Sequence, residues 1–169
     1  MQNNTASAVS EEPLDLAEDT QRGKFLTFHI ADEDYGIEIR YVTEIIGIQS
    51  ITDVPDMPDY IKGVINLRGN VIPVMDVRKR FNLPEKAYEE RTCIVVVNVD
   101  DKTVGLVVDK VNEVIDIPDG QIEPPPRTKA ESGQYIQGMG KVEEEVKILL
   151  DVRKLLYSED LEQMTKNSD

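Results

Sequence analysis

Tyr60-Ile61-Lys62-Gly63, running on to Asp76-Val77-Arg78-Lys79, returns 75 positions later as Tyr135-Ile136-Gln137-Gly138, running on to Asp151-Val152-Arg153-Lys154. Two similar apolar runs, 71–75 and 146–150, sit between these ends at the same offset. Upstream the echo continues at an offset of 69, where Gly36, Val42, Glu44, Ile46 and Ile48 fall on Gly105, Val111, Glu113, Ile115 and Ile117. The apolar segment 25–30 falls on 94–99 in the same way. The step from 69 to 75 places the extra residues of the second copy in the loop 123–133, which contains Pro124-Pro125-Pro126. One small unit has been used twice. Duplication of this kind more often builds a scaffold than an active site.

Composition narrows the partners. A net charge of −14, from 19 basic and 33 acidic residues, argues against nucleic acid, whose phosphates need clustered Lys and Arg. It also argues against attraction to an anionic membrane surface. The single cysteine, Cys93, cannot form an internal disulfide, fits a reducing compartment, and reads as an inert buried thiol beside Ile94 to Val97. The N-terminus lacks the basic start and apolar stretch of a signal peptide, and no apolar run approaches the roughly 20 residues that span a bilayer. A cytoplasmic protein working in water is expected.

Residues 1–22 are polar, acidic and without periodicity, which predicts a disordered tail. From Lys24 the pattern changes to short apolar segments broken by turn residues. Strands are expected over 25–30 and 35–39, a hairpin with Asp32-Glu33-Asp34 as its turn, and again over 42–48. Segments 64–67 and 71–75 flank a turn at Arg68-Gly69-Asn70, with Pro73 marking an edge or a bulge. A short helix is expected over 77–81. In the second copy 93–99 is apolar throughout, the pattern of a strand buried on both faces. Strands over 103–108, 111–117, 139–142 and 146–150 complete the echo, and 158–169 reads as a tail or short helix.

Five short strands per copy close most easily into a small barrel, since closure removes the exposed edges that invite aggregation. A barrel that small buries little apolar surface alone. Two of them face to face, about 23–81 and about 91–157, would share a third core, with strand 93–99 as the wall between cores. Barrels of five short strands fill with their own side chains, which leaves no room for an internal small ligand.

Little in the sequence resembles a catalytic centre. His29, the one histidine, has no Cys or His at ligand spacing, so no metal site is expected. Phosphate loops and nucleophile elbows are missing. Asp76 and Asp151, equivalent in the two copies, leave one alternative: an aspartate-dependent hydrolase in which the pair shares a proton. Both are followed by Val-Arg-Lys, however, and an Asp ahead of a short helix is an N-cap. Arg68 and Asn66 carry more information, because their counterparts are Glu143 and Lys141. A residue that one copy needs and the other dispenses with is functional rather than architectural. Glu44, between apolar neighbours on its strand, is a second candidate contact, although Glu113 matches it.

Several of these stretches together resemble a known family. Tyr35-Gly36-Ile37-Glu38-Ile39, Val42-Thr43-Glu44-Ile45 and Tyr60-Ile61-Lys62-Gly63-Val64-Ile65-Asn66-Leu67-Arg68-Gly69 are similar to segments of the CheW family, bacterial chemotaxis coupling proteins. Val71-Ile72-Pro73-Val74-Met75-Asp76, Val104-Gly105-Leu106-Val107-Val108-Asp109, Val111, Val114 and Tyr135-Ile136-Gln137-Gly138 extend the resemblance over 23–157. It implies a mainly β fold of two tandem five-stranded SH3-like barrels packed around a shared core, with short helices. It implies an adaptor without catalysis or cofactor. Its partners would be the cytoplasmic tips of methyl-accepting chemoreceptors and the regulatory domain of the histidine kinase CheA. By resemblance Val42, Glu44, Gly63, Arg68 and Val111 fall at docking positions, and Ile45, Asn66 and Gly69 join them from the surrounding strand and turn. A receptor helical hairpin is expected in the groove between the barrels, against Val42, Ile45 and the Arg68 turn, with the kinase on the apolar barrel ends.

Overall fold

The computed structural model describes residues 21–126 and 134–157. The expected tail over 1–22, apart from its last two residues, lies outside them, as does the expected C-terminal tail or helix over 158–169. The elements among the described residues include eleven strands and two short α-helices, in this order: β1 (Lys24–Ile30), β2 (Glu33–Glu38), β3 (Val42–Gly47), β4 (Ile61–Leu67), β5 (Asn70–Asp76), α1 (Val77–Arg80), β6 (Cys93–Val99), β7 (Lys102–Val108), β8 (Lys110–Asp116), β9 (Ile122–Glu123), β10 (Ile136–Val142), β11 (Glu145–Leu150) and α2 (Val152–Leu156). The fold is mainly β, as the sequence predicts. The first hairpin turns earlier than expected. Ala31 takes a left-handed φ of 57°, so Glu33 and Asp34 already pair with Ile30 and His29.

The strands make two sheets, a six-strand one ordered β8-β1-β2-β11-β10-β9 and a five-strand one ordered β3-β6-β7-β5-β4. Each curls into a barrel. The hydrogen bonding does not divide the chain into 23–81 and 91–157. Each barrel takes its body from one copy and its opening hairpin from the other: β1–β2 lies between β8 and β11, and β6–β7 between β3 and β5. The joins β2–β11 and β5–β7 are parallel.

This exchange follows from what the opening strands must bury. On β6, Ile94 and Val96 enter the core of the five-strand barrel, while Val95, Val97 and Val99 enter the large core between the barrels. On β1, Phe25 lies in the core of the six-strand barrel and Leu26, Phe28 and Ile30 face the central one. A strand apolar on both faces needs a core on both faces. β6 is the expected wall, and β1 is its twin. Pro73 also meets expectation: β5 joins β7 only from Val74 onward, so the missing N–H of Pro73 leaves that ladder intact. Cys93 is half-buried rather than enclosed, at the margin of the central core, with its thiol directed at the Arg91 carbonyl.

The repeated Tyr-Ile-x-Gly has a structural cause in both copies. The carbonyls of Tyr60 and Tyr135 accept the N–H groups of Asp76 and Asp151, each at 2.7 Å. Two residues on, a bulge interrupts the ladder and another segment crosses the glycine. A Cβ on Gly63 would stand 2.1 Å from the Thr52 carbonyl oxygen, and Gly63 also has φ +150°, which side chains avoid. A Cβ on Gly138 would stand 2.9 Å from the Glu123 carbonyl oxygen.

Candidate docking surface

β3 is an edge strand of the five-strand barrel, and the β4–β5 hairpin folds over to meet it. The tip is a two-residue turn, Arg68-Gly69, between the paired residues Leu67 and Asn70. Both turn residues have left-handed φ, 52° and 87°, the geometry that suits the right-handed twist of a hairpin. Asn66 stabilises it: its side-chain oxygen accepts the Gly69 N–H at 2.8 Å. Asn66 and Gly69 therefore set the pose of Arg68. The guanidinium of Arg68 reaches across to β3 and grips Glu44 with two parallel bonds, Nη1 to Oε2 at 2.5 Å and Nη2 to Oε1 at 2.7 Å. The Arg68 hydrogen bonds hold the Glu44 carboxyl below its ordinary range and raise the guanidinium in turn. The Arg68 side chain remains 71% exposed. A fork fixed in place yet open to solvent is suited to protein contact.

Along β3 exposure alternates. Val42, Glu44 and Ile46 are half-buried, and Thr43, Ile45 and Gly47 are exposed. Val42 packs at the margin of the central core. Val111, its counterpart on β8, packs at the same margin from the other barrel. The structure thus gathers Val42, Glu44, Ile45, Asn66, Arg68 and Gly69 around one hairpin tip and edge strand, and puts Val111 on the second barrel. Gly63 is different. It is buried beneath residues 51–52, and its need for glycine is explained by that crossing.

Asp76 and Asp151 are caps. Asp76 accepts from the N–H groups of Arg78 and Lys79 and, on its other oxygen, from the Tyr88 hydroxyl at 3.0 Å. Asp151 accepts from the Lys154 N–H at 3.0 Å. Each carboxylate serves its own helix. Among the described residues there is no cluster of His, Cys, Asp or Glu able to hold a metal, and no helix long and apolar enough to cross a membrane.

Sequence reasoning missed two clasps between the copies. Arg78 forks onto Asp109, Nε to Oδ1 at 2.9 Å and Nη2 to Oδ2 at 2.7 Å, and Asp109 also accepts the Ala31 N–H. Burial pushes the Asp109 carboxyl up, but the bonds from Arg78 and Ala31 outweigh it and leave it below its ordinary range. Arg80 lies between the rings of Tyr60 and Tyr135, 4.3 and 4.6 Å from their centroids, and donates to the Leu155 carbonyl. The signal for the second was present, since Arg80 lies between the repeat's two tyrosines and has Leu155 as its own counterpart.

The CheW-like domain family matches residues 24–160. The chain belongs to that family. Among curated CheW-like relatives, the chemotaxis protein CheW of Klebsiella aerogenes is 40% identical over 147 residues, 86% of this chain and 89% of that one. The chemotaxis protein CheW of Bacillus subtilis is 36% identical over 137 residues, 80% of this chain and 88% of that one. A crystal structure of the scaffolding protein TtCheW from Thermoanaerobacter tengcongensis superposes with a TM-score of 0.75 at 35% identity, covering 82% of this chain and 94% of that one. CheW-like proteins are chemotaxis scaffolds rather than enzymes, and the two barrels around a shared core are the CheW-like fold. The hydrolase alternative has no support.

Proposed function

We propose that this chain couples the cytoplasmic tips of chemoreceptors to the regulatory domain of the histidine kinase CheA, binding both and chemically altering neither. The observation that carries the reading is the Glu44–Arg68 fork, present on one barrel and replaced by two glutamates, Glu113 and Glu143, on the other. A receptor helical hairpin lies against Val42, Ile45 and the Arg68 turn, with apolar side chains supplying affinity and the fork fixing its orientation. The kinase domain uses the apolar barrel ends. The adaptor works in the cytoplasm and reaches the membrane face only through its partners.

The test is Arg68→Ala. Its thermal midpoint should stay within a degree or so of the parent, because the guanidinium is itself largely exposed and an ion pair open to solvent adds little to stability. Affinity for a soluble receptor-tip fragment should fall by about 1 to 3 kcal/mol in a titration. Undiminished affinity for both the receptor fragment and the kinase domain would remove Arg68 from the docking surface.

A further inference from the structure

In a regular strand, residues an odd number of positions apart point to opposite faces. Val42 and Ile45 are three apart on β3, yet one partner surface must reach both. The ladder between β3 and β6 shows how. Val42 pairs with Val97, but Glu44 pairs with Val96, Ile45 with Val95 and Ile46 with Ile94. Thr43 is therefore an extra residue in β3, a β-bulge. Directly opposed residues of an antiparallel pair share a face. Val95 and Val97 enter the core between the barrels, so Val42 and Ile45 both stand on that side. Ile94 and Val96 enter the core of the five-strand barrel, so Glu44 and Ile46 stand on the other. The bulge gives one face an apolar pair and turns Glu44 to the face on which it meets Arg68.

The sister ladder is broken at the same place. Leu26 pairs with Val114 and Phe28 with Val111, so β8 carries one extra residue between them. There the neighbouring strand holds the bulge: the Thr27 hydroxyl donates to the Glu113 carbonyl at 2.8 Å and accepts the Glu113 N–H at 3.2 Å. The counterpart of Thr27 on β6 is Val96, which has no hydroxyl to offer. In the five-strand barrel the bond comes from the extra residue instead, Thr43 Oγ1 donating to the Val96 carbonyl at 3.1 Å. Asn112, the counterpart of Thr43, turns its side chain to Asp34 at 3.2 Å. Both ladders thus place a threonine hydroxyl on one bulge, from opposite strands. Such recurrence follows from a need for the bulge rather than for a residue at one position. β3 is also an edge strand with β6 as its neighbour, so no strand on its outer side helps to hold the extra residue among the described residues.

We infer that Thr43 is a positioning residue of the docking surface, its hydroxyl holding the bulge that sets Val42 and Ile45 on one face and Glu44 beneath Arg68. Without that bond the bulge is free to move one residue toward Val42 or toward Glu44. Either move turns a docking side chain off its face, because a slip of one position reverses the side on which a residue stands. Thr43 acts through these neighbours and not by touching the partner. The inference rests on the docking reading above and adds the residue that shapes its strand.

Two substitutions at this exposed position separate hydroxyl from shape. Thr43→Val keeps the branched side chain and removes the donor, whereas Thr43→Ser keeps the donor and removes the methyl. In titrations with a soluble receptor-tip fragment, Thr43→Val should bind about fivefold more weakly, the shift that one ordinary hydrogen bond supports, and Thr43→Ser within about twofold of the parent. Amide hydrogen exchange in the free chain supplies a readout that partner contact would not move: across 42–46 it should quicken in Thr43→Val and stay as in the parent in Thr43→Ser. Parental affinity in Thr43→Val overturns the inference and leaves the adaptor function standing. Equal losses in both variants overturn it by assigning the effect to the methyl. Weakened binding with unaltered exchange also overturns it, since the hydroxyl would then meet the partner directly. Failure of the parent chain to bind the receptor fragment or the kinase domain removes the docking reading itself.

Discussion

The β4–β5 and β10–β11 hairpins close equivalent bulged ladders, crossed by residues 51–52 and by β9 respectively, yet one ends in Arg68-Gly69 and the other in Glu143-Glu144. At their bases the two are held alike: a tyrosine carbonyl, a crossed glycine and an aspartate cap occur in both. At their tips they have reversed charge. Constraint is strongest where backbone meets backbone and weakest in solvent, so the bases have stayed alike while the tips were free to acquire different partners. Substituting equivalent residues in the two copies tests how far that division holds.

The largest effect is expected at the crossed glycines. Gly63→Ala drives a methyl into the Thr52 carbonyl at 2.1 Å and asks alanine to adopt φ +150°. The two nearest atoms, the carbonyl oxygen and carbon of Thr52, are backbone, so the bridge between Thr52 and Val64 must open. A loss of about 3 kcal/mol or more is expected by denaturant titration. Gly138→Ala meets a wider gap, 2.9 Å to the Glu123 oxygen and 2.8 Å to a methyl of Ile122 that can turn aside. Its cost should be about half as large. Equal costs would mean that crowding at Gly63 is relieved in some way the two crossings share.

The caps come next. Asp151→Ala removes one bond to a helix N–H and should cost about 1 kcal/mol. Asp76→Ala removes two such bonds and also orphans the Tyr88 hydroxyl, in a residue only 2% exposed. About 2 to 3 kcal/mol is expected there. Asp76→Asn, which keeps an acceptor for the helix, should recover part of it. If the two alanine variants cost the same, neither the second helix bond of Asp76 nor its Tyr88 contact contributes.

The contrast between bases and tips also explains what the sequence could reveal. Caps, hairpins and the wall strand 93–99 are local or periodic features, and each was legible from residue type and spacing. The exchange of opening hairpins was not, because a duplication predicts each copy folding on itself and nothing in β1 or β6 names its neighbour. Of the candidate site, Arg68 and Asn66 were legible because their copies differ, Gly69 because its turn demands it, and Glu44 only as a charge between apolar neighbours, since Glu113 matches it. Their direct pairing was not, since 24 residues and a folded hairpin separate Arg68 from Glu44. Gly63 drew attention as a docking position through family resemblance, but its burial under Thr52 is an architectural reason for the same residue. Thr43 was passed over because it reads as an ordinary strand threonine until the register of β3 on β6 is known.

The smallest effect separates the two opening hairpins by pH. At one cross-strand position β1–β2 has His29 opposite Asp34, and β6–β7 has Asn98 opposite Thr103. The second pair is a neutral bond, Asn98 Nδ2 to Thr103 Oγ1 at 2.8 Å. In the first, the hydrogen bonds from His29, then from Lys147, pull the Asp34 carboxyl down to about 2 from an ordinary value of 3.8. A carboxyl depressed in the folded state favours folding wherever it is ionised in both states, so its contribution is complete above about pH 4. The contribution is lost as pH falls from 4 toward 2, when the unfolded chain takes up a proton that the folded chain still refuses. Partial solvent screening reduces the effect to about 1 to 2 kcal/mol. Asp34→Thr, which copies the sister hairpin, should flatten the stability curve across that window and lower stability at neutral pH by a similar amount. An unaltered acid slope in this variant would place the depressed carboxyl elsewhere, with Asp109 the next to test, since it too lies below its ordinary value.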